Sequence, residues 1–180
     1  MNLLGTHDTV RILTVLGGRS LDGLTYAEMR DVRMTATERS LALARLRLAY
    51  AILYFMPGIP CIYYGDEAGM EGAKDPFNRR TYPWGREDGE LLAFFRALGK
   101  FREVGKDVLA HGYFRPVLAK GGFLVLERFL DERRLLLLVN RGTDSAVFSP
   151  GGSFRDLLTD ETESGDITVC PLGFKILMQI

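Results

Sequence analysis

The chain has 180 residues, 47% hydrophobic and 26% charged, with 23 basic against 23 acidic side chains and a formal net charge of zero. That is enough apolar material for a sizeable core, while the balanced charge leaves no electrostatic footprint for nucleic acid or an anionic membrane. No apolar run reaches the roughly 18 residues of a bilayer-spanning helix, and no signal peptide is expected, because a basic-then-apolar order is lacking at the start.

Residues 1–4 read as a short apolar strand that breaks at Gly5, with His7 and Asp8 following at once. A buried parallel strand ending in a loop that carries His and Asp is how an α/β barrel presents catalytic groups. Such a strand should have about seven partners, yet this one opens the chain. The expectation is therefore the back end of an enzyme whose front end lies elsewhere.

Residues 9–16 have helical spacing and stop at Gly17-Gly18. Residues 19–34 are polar and irregular and read as loop. Thr35-Ala-Thr-Glu38 has the form of a capping box, and Leu41, Leu43, Leu46, Leu48, Tyr50 and Leu53 then make a wide apolar face. This helix ends near Met56, before Pro57-Gly58. Residues 59–64 read as a buried strand, and residues 65–88 as a long loop of the kind that is usually functional. Residues 90–104 read as an amphipathic helix.

Beyond Lys106 the character changes to short β-rich runs at 112–120, 123–130, 134–140, 146–148, 167–170 and 174–180, separated by glycine-rich and charged turns. This pattern predicts a small antiparallel sandwich, with the boundary near residues 103–107. Cys61 and Cys170 fit neither a metal spacing nor a disulfide framework. Both are expected to be inert buried thiols, which suits a reducing, cytoplasmic location.

Gly65-Asp66-Glu67 follows the second strand, and Asp75-Pro-Phe-Asn-Arg79-Arg80 precedes Trp84. Two strand ends and one loop thus supply carboxylates, guanidiniums, amides and an aromatic ring. Sugar sites need these groups: forked hydrogen bonds for vicinal hydroxyls and a flat ring for the apolar pyranose face. Other residues have structural readings. Asp66 and Glu67 should brace the loop through backbone amides and a nearby arginine. Arg11 should pair with a carboxylate, His111 should sit in a surface turn, and Arg45 and Arg47 should form a solvated helix edge. Trp84 is open between sugar platform and lid. No metal constellation and no cofactor motif is present.

Asn2-Leu-Leu-Gly-Thr-His-Asp-Thr9 resembles a short signature region of the α-amylase superfamily (glycoside hydrolase family 13). Met56-Pro-Gly-Ile-Pro-Cys-Ile-Tyr-Tyr-Gly-Asp-Glu-Ala-Gly-Met70 is similar to that family's eighth barrel strand. The Asp75 to Trp84 segment resembles the neopullulanase and cyclomaltodextrinase branch. The resemblance implies an α/β plus all-β chain, with residues 1–105 as the last two βα units of a TIM (β/α)8 barrel. Residues 106–180 would then be the C-terminal antiparallel β-sandwich. It implies a retaining α-glucan hydrolase, with Asp8 as the third carboxylate, which stabilises the oxocarbenium-like transition state. His7, Asp75 and Arg79 are implied as substrate-binding residues.

The family's nucleophile and general acid follow its fourth and fifth strands, so neither is expected in this chain, which alone should be inactive. The implied ligand is an α-glucan or maltooligosaccharide. Open barrel edges imply self-association or a partner carrying the N-terminal barrel half. The alternatives are a non-catalytic carbohydrate-binding or interaction module, or part of a glucanotransferase of the same superfamily.

Overall fold

A computed structural model describes residues 1–180. The chain divides into two compact units, Met1–Arg47 with Ile59–Phe95, and Leu48–Gly58 with Arg96–Ile180.

In the first unit, β1 (Asn2–Leu3) pairs in parallel with β2 (Pro60–Cys61), in the register Asn2 to Pro60 and Leu3 to Cys61. Both strands are shorter than the runs at 1–4 and 59–64, and neither is fully buried. They form a two-stranded sheet, so the outer edges have no strand to pair with, and Met1 and Ile59 are 82% and 70% exposed. The helix expected over 9–16 is confined to α1 (Ile12–Leu16), because Thr9 is engaged in a turn with Thr6.

The stretch read as loop at 19–34 contains α2 (Tyr26–Asp31), which corrects that expectation. Its start is a capping box: the Glu28 amide donates to the Thr25 hydroxyl, and the Glu28 carboxylate accepts from the Thr25 amide. None of its residues is buried, so it lacks the apolar stripe by which a helix is read from sequence. Leu21, Val32 and Ala73 form a small core here, with Val10, Leu24, Met29 and Phe77 packed around it. The capping box expected at Thr35 is present: the Glu38 amide donates to Thr35 at 3.2 Å and the Thr35 amide to Glu38 at 2.7 Å. It opens α3 (Ala36–Phe55), whose residues 36–47 belong to this unit.

In the second unit, residues 48–55 of α3 bury Tyr50, Ala51, Leu53 and Phe55. Phe55 stacks on Phe101 of α4 (Gly89–Val104), with centroids 6.2 Å apart. A further helix, α5 (Lys106–His111), precedes the sheet. Exposed His111 closes it, so this residue ends a helix rather than sitting in a turn.

Six strands then form one antiparallel sheet: β3 (Tyr113–Lys120), β4 (Phe123–Leu130), β5 (Arg133–Asn140), β10 (Gly173–Gln179), β7 (Ser153–Asp156) and β8 (Thr162–Ser164), in that spatial order. Strands β6 (Ala146–Phe148) and β9 (Ile167–Val169) pair separately. Gly121 and Gly122, both at positive φ, make the β3–β4 turn, the two-residue hairpin that glycine permits best. Pro116 sits in edge strand β3 at a register shift, where a missing N–H disrupts least. Strand β5 is central and buried on both faces, hence its unbroken Leu135–Leu136–Leu137–Leu138 run; each such side chain contributes about 1.5–3 kcal/mol when fully buried. One face carries Val125, Leu136, Leu138 and Leu177 against Ile167 and Val169 of β9. On the other, Arg128 donates to the Leu109 carbonyl at 2.7 Å and to Gly112 at 3.2 Å, which caps the C-terminus of α5.

Strands β7 and β8 fall outside the β-rich runs; they are short, β7 has Phe154 as its one apolar residue and β8 is polar throughout. The thiols also depart from expectation: Cys61 is half-buried and Cys170 exposed. Cys170 follows β9 and leads into the Leu172 turn, outside the packed face.

Candidate active site

The loop after β1 is a tight hydroxyl-braced turn. The Thr6 amide donates to the Thr9 hydroxyl at 2.9 Å, and the Asp8 amide to the Thr6 hydroxyl at 3.1 Å. This turn holds His7 and Asp8 outward, with side chains 64% and 71% exposed. His7 Nε2 lies 3.1 Å from Asp8 Oδ2.

The long loop after β2 meets this turn. Arg79 places its Nε 2.7 Å from Asp75 Oδ1 and its Nη2 3.5 Å from Asp8 Oδ1. It also donates to the His7 carbonyl at 3.1 Å. The four residues singled out in the sequence, His7, Asp8, Asp75 and Arg79, therefore stand in one open cluster. One guanidinium bridges two carboxylates, and free oxygens and nitrogens face solvent. Such a set can donate to and accept from several hydroxyls of one sugar at once.

Beneath the cluster is a buried frame. Asn78, 0% exposed, donates through Nδ2 to the carbonyls of His7 and Thr9, both at 2.7 Å. Arg11, 1% exposed, donates through Nε to the Asn78 carbonyl at 2.8 Å and through Nη1 to the Tyr64 carbonyl. Its Nη1 also pairs with Asp66 at 3.2 Å, with both side chains fully buried. The guanidinium lies over the Tyr63 and Tyr64 rings, 4.2 and 4.7 Å from their centroids. Burial, reinforced by Tyr64, pushes the Tyr63 phenol above its ordinary value. Gly72 has to be glycine, because a Cβ there would fall 2.4 Å from the Phe77 carbonyl oxygen.

Arg11 and Asp66 thus take the bracing roles that their positions suggested, and Glu67 accepts from the Gly65 amide at 2.9 Å. Arg45 donates to the Leu16 carbonyl and Arg47 pairs with Glu90, so these two are helix-edge residues with partners. Trp84 stands 81% exposed and leans on Tyr82 at 4.5 Å. From sequence Asn78 counts as an amide offered to a sugar, but the structure buries it as the brace beneath the turn; its bracing role had no signal beyond an amide set among the charged residues of Asp75-Pro-Phe-Asn-Arg79. No group of three or more His, Cys, Asp or Glu side chains is placed to hold a metal ion.

Residues 1–108 match the family model described as the α-amylase catalytic domain. An amylopullulanase of Thermoanaerobacter thermohydrosulfuricus is 46% identical over 190 residues, covering 94% of this chain and 12% of that protein. The intracellular maltogenic amylase of Bacillus subtilis is 30% identical over 145 residues, covering 78% of this chain and 21% of the relative. Among solved structures, an Anoxybacillus α-amylase superposes with a TM-score of 0.76 at 25% identity, covering 98% of this chain and 37% of that one. The chain therefore spans a minor part of the length of each of these three proteins.

Proposed function

The chain belongs to the α-amylase family, and from that premise we propose that it is the C-terminal part of a retaining α-glucan hydrolase. In this reading residues 1–105 are the last two βα units of a (β/α)8 barrel, and residues 106–180 its C-terminal β-sandwich. Asp8 stabilises the positive charge that develops on the reacting sugar, and His7 contacts that sugar. Asp75 and Arg79 hold the neighbouring sugar on the non-reducing side. The nucleophile and the general acid come from barrel strands outside these 180 residues, so the chain by itself does not turn over.

The observation that carries this reading is the bridge of Arg79 between Asp75 and Asp8. Residues from two strand-end loops converge there on one solvent-open spot, as barrel active sites require. The names of the relatives, an amylopullulanase and a maltogenic amylase, support α-glucan as the substrate class.

The test is complementation. The chain is assayed on starch, pullulan and cyclodextrin, alone and co-expressed with the preceding barrel segment of the amylopullulanase. Turnover by the pair and none by the chain alone is the expected result. Turnover by the purified chain alone, abolished by Asp8→Asn, would overturn the assignment of nucleophile and acid to another segment. A soluble, stable pair that binds glucan without cleaving it would favour a non-catalytic carbohydrate-binding module.

A further inference from the structure

Arg79 carries the bridge between Asp75 and Asp8, and the chain on either side of it is pinned. The Asn78 carbonyl accepts from Arg11 Nε at 2.8 Å. The Arg80 carbonyl accepts from the Tyr64 hydroxyl, also at 2.8 Å. These two oxygens bracket Arg79, one residue before it and one after. The backbone that aims its side chain is therefore held at two points.

The two pinning groups are fixed to each other. Arg11 lies over the Tyr64 ring, 4.7 Å from its centroid, and donates through Nη1 to the carbonyl of Tyr64. Tyr63 packs edge-on against the same ring at 4.8 Å. A tyrosine has only two side-chain torsions to set, and here a buried cation and a second ring set them. The Tyr64 hydroxyl thus stands at a fixed point from which it meets the Arg80 carbonyl.

The neighbours of Arg79 are committed elsewhere. Phe77 packs against Tyr26, with centroids 4.8 Å apart. The Asn78 amide grips residues 7 and 9, and the Arg80 guanidinium is tied to the Arg30 carbonyl. From Phe77 to Arg80, Arg79 is the residue whose side chain meets the carboxylates of the site. A guanidinium that has to reach Asp75 at 2.7 Å and Asp8 at 3.5 Å tolerates little drift of its backbone.

We propose that Tyr64 is a positioning residue for the guanidinium of Arg79, acting through the Arg80 carbonyl. Arg11 supplies the matching restraint on the other side, through the Asn78 carbonyl. The proposal rests on the reading of Arg79 as a sugar-binding residue and adds the group that aims it. Tyr64 acts on the sugar only by way of Arg79, so its loss is felt in binding and not in the bond-breaking step.

Tyr64→Phe removes one oxygen and keeps the ring, with its packing on Tyr63 and Arg11. In the full 180-residue chain, the Arg79 Nε–H proton, assigned by its loss in Arg79→Ala, reads the bonds to Asp75 and the His7 carbonyl. By NMR it should exchange with water about threefold faster or more in Tyr64→Phe. The Arg11 Nε–H should stay within about twofold of the parent, because its own bond to the Asn78 carbonyl is kept. In the complemented enzyme, Tyr64→Phe should raise KM for maltoheptaose about three- to tenfold, with kcat within about twofold of the parent. On an Arg79→Ala background the same substitution should add no further rise, since the group it aims is gone. Unchanged exchange at Arg79, equal changes at Arg11 and Arg79, or loss of the fold in Tyr64→Phe would each overturn the proposal. So would a fall in kcat with KM unchanged, or a rise in KM that persists on the Arg79→Ala background. The exchange measurement needs no sugar, so an inactive complemented pair would count against the α-glucan reading while exchange alone decided the role of Tyr64.

Discussion

Asn78 and His7 lie 71 positions apart, yet the Asn78 side-chain amide donates to the His7 carbonyl at 2.7 Å. The same amide reaches Thr9, so one buried group grips both shoulders of the turn that presents Asp8. Asn78→Ala removes the donor to the Thr9 carbonyl and leaves the His7 carbonyl with Arg79 alone, at a cost of about 1–3 kcal/mol. Asn78→Asp should cost at least as much, because a carboxylate would face those carbonyls. Urea unfolding measures the loss, and hydrogen exchange should rise first at residues 6–9. Parental stability in both variants would mean that the turn is held by its own threonines.

Arg11 and Asp66 form an ion pair with both side chains fully buried. Breaking one side removes the buried counter-charge of the other, so Arg11→Met should destabilise by about 3–5 kcal/mol. The double variant Arg11→Met with Asp66→Leu should recover part of that loss, since no lone charge remains. A double variant no better than the single one would show that the arginine acts through its backbone-carbonyl and tyrosine contacts and not through the carboxylate.

In the complemented enzyme, Asp8→Asn and Arg79→Ala should separate by kinetics. If Asp8 stabilises the developing positive charge as proposed, loss of its charge should lower kcat about 100-fold or more. In the proposed reading Arg79 holds a sugar away from the bond that breaks, so its loss should mainly raise KM. Retention of more than about a tenth of the parent rate by Asp8→Asn would remove Asp8 from the reaction.

Stability should depend on pH in two opposite ways. Burial holds the Asp156 carboxyl above its ordinary value, against the Leu158 amide and Lys175, which pull it down. Its stabilising contribution is therefore whole below about pH 3.9 and is lost as pH rises through the native value. Glu28, held low by the Thr25 hydroxyl, and Glu38, held low by the Thr35 amide, contribute above about pH 4.3 and lose that contribution on acidification. Asp156→Asn should accordingly gain on the parent between about pH 3 and pH 7 in urea midpoints. A constant gap across that range would contradict the burial of this carboxyl.

The β1–β2 pair has open outer edges beside exposed Met1, Leu3 and Ile59. Open apolar edges template further pairing, so the purified chain should associate as concentration rises, as sedimentation velocity would show. The preceding barrel segment should suppress this. A chain that stays monomeric at high concentration, with amides of residues 1–56 as protected as those of β4 and β5, would count against the open edge.

What the sequence determined by itself is what a few neighbouring residues encode. The Thr35 capping box, the glycine turn at 121–122, the β4 and β6 spans and the family-marking motifs all depend on spacing within one turn or one strand. What the tertiary structure alone decided depends on closing long loops. The Asn78 grip on residues 7 and 9, the seating of Arg11 between Asp66 and two tyrosines, and the six-strand order that puts β10 between β5 and β7 join residues far apart in the chain. The lengths of β1 and β2 belong with these. An apolar run can announce a strand, but its extent is set by the ladder partners it finds, and here each of the two finds one.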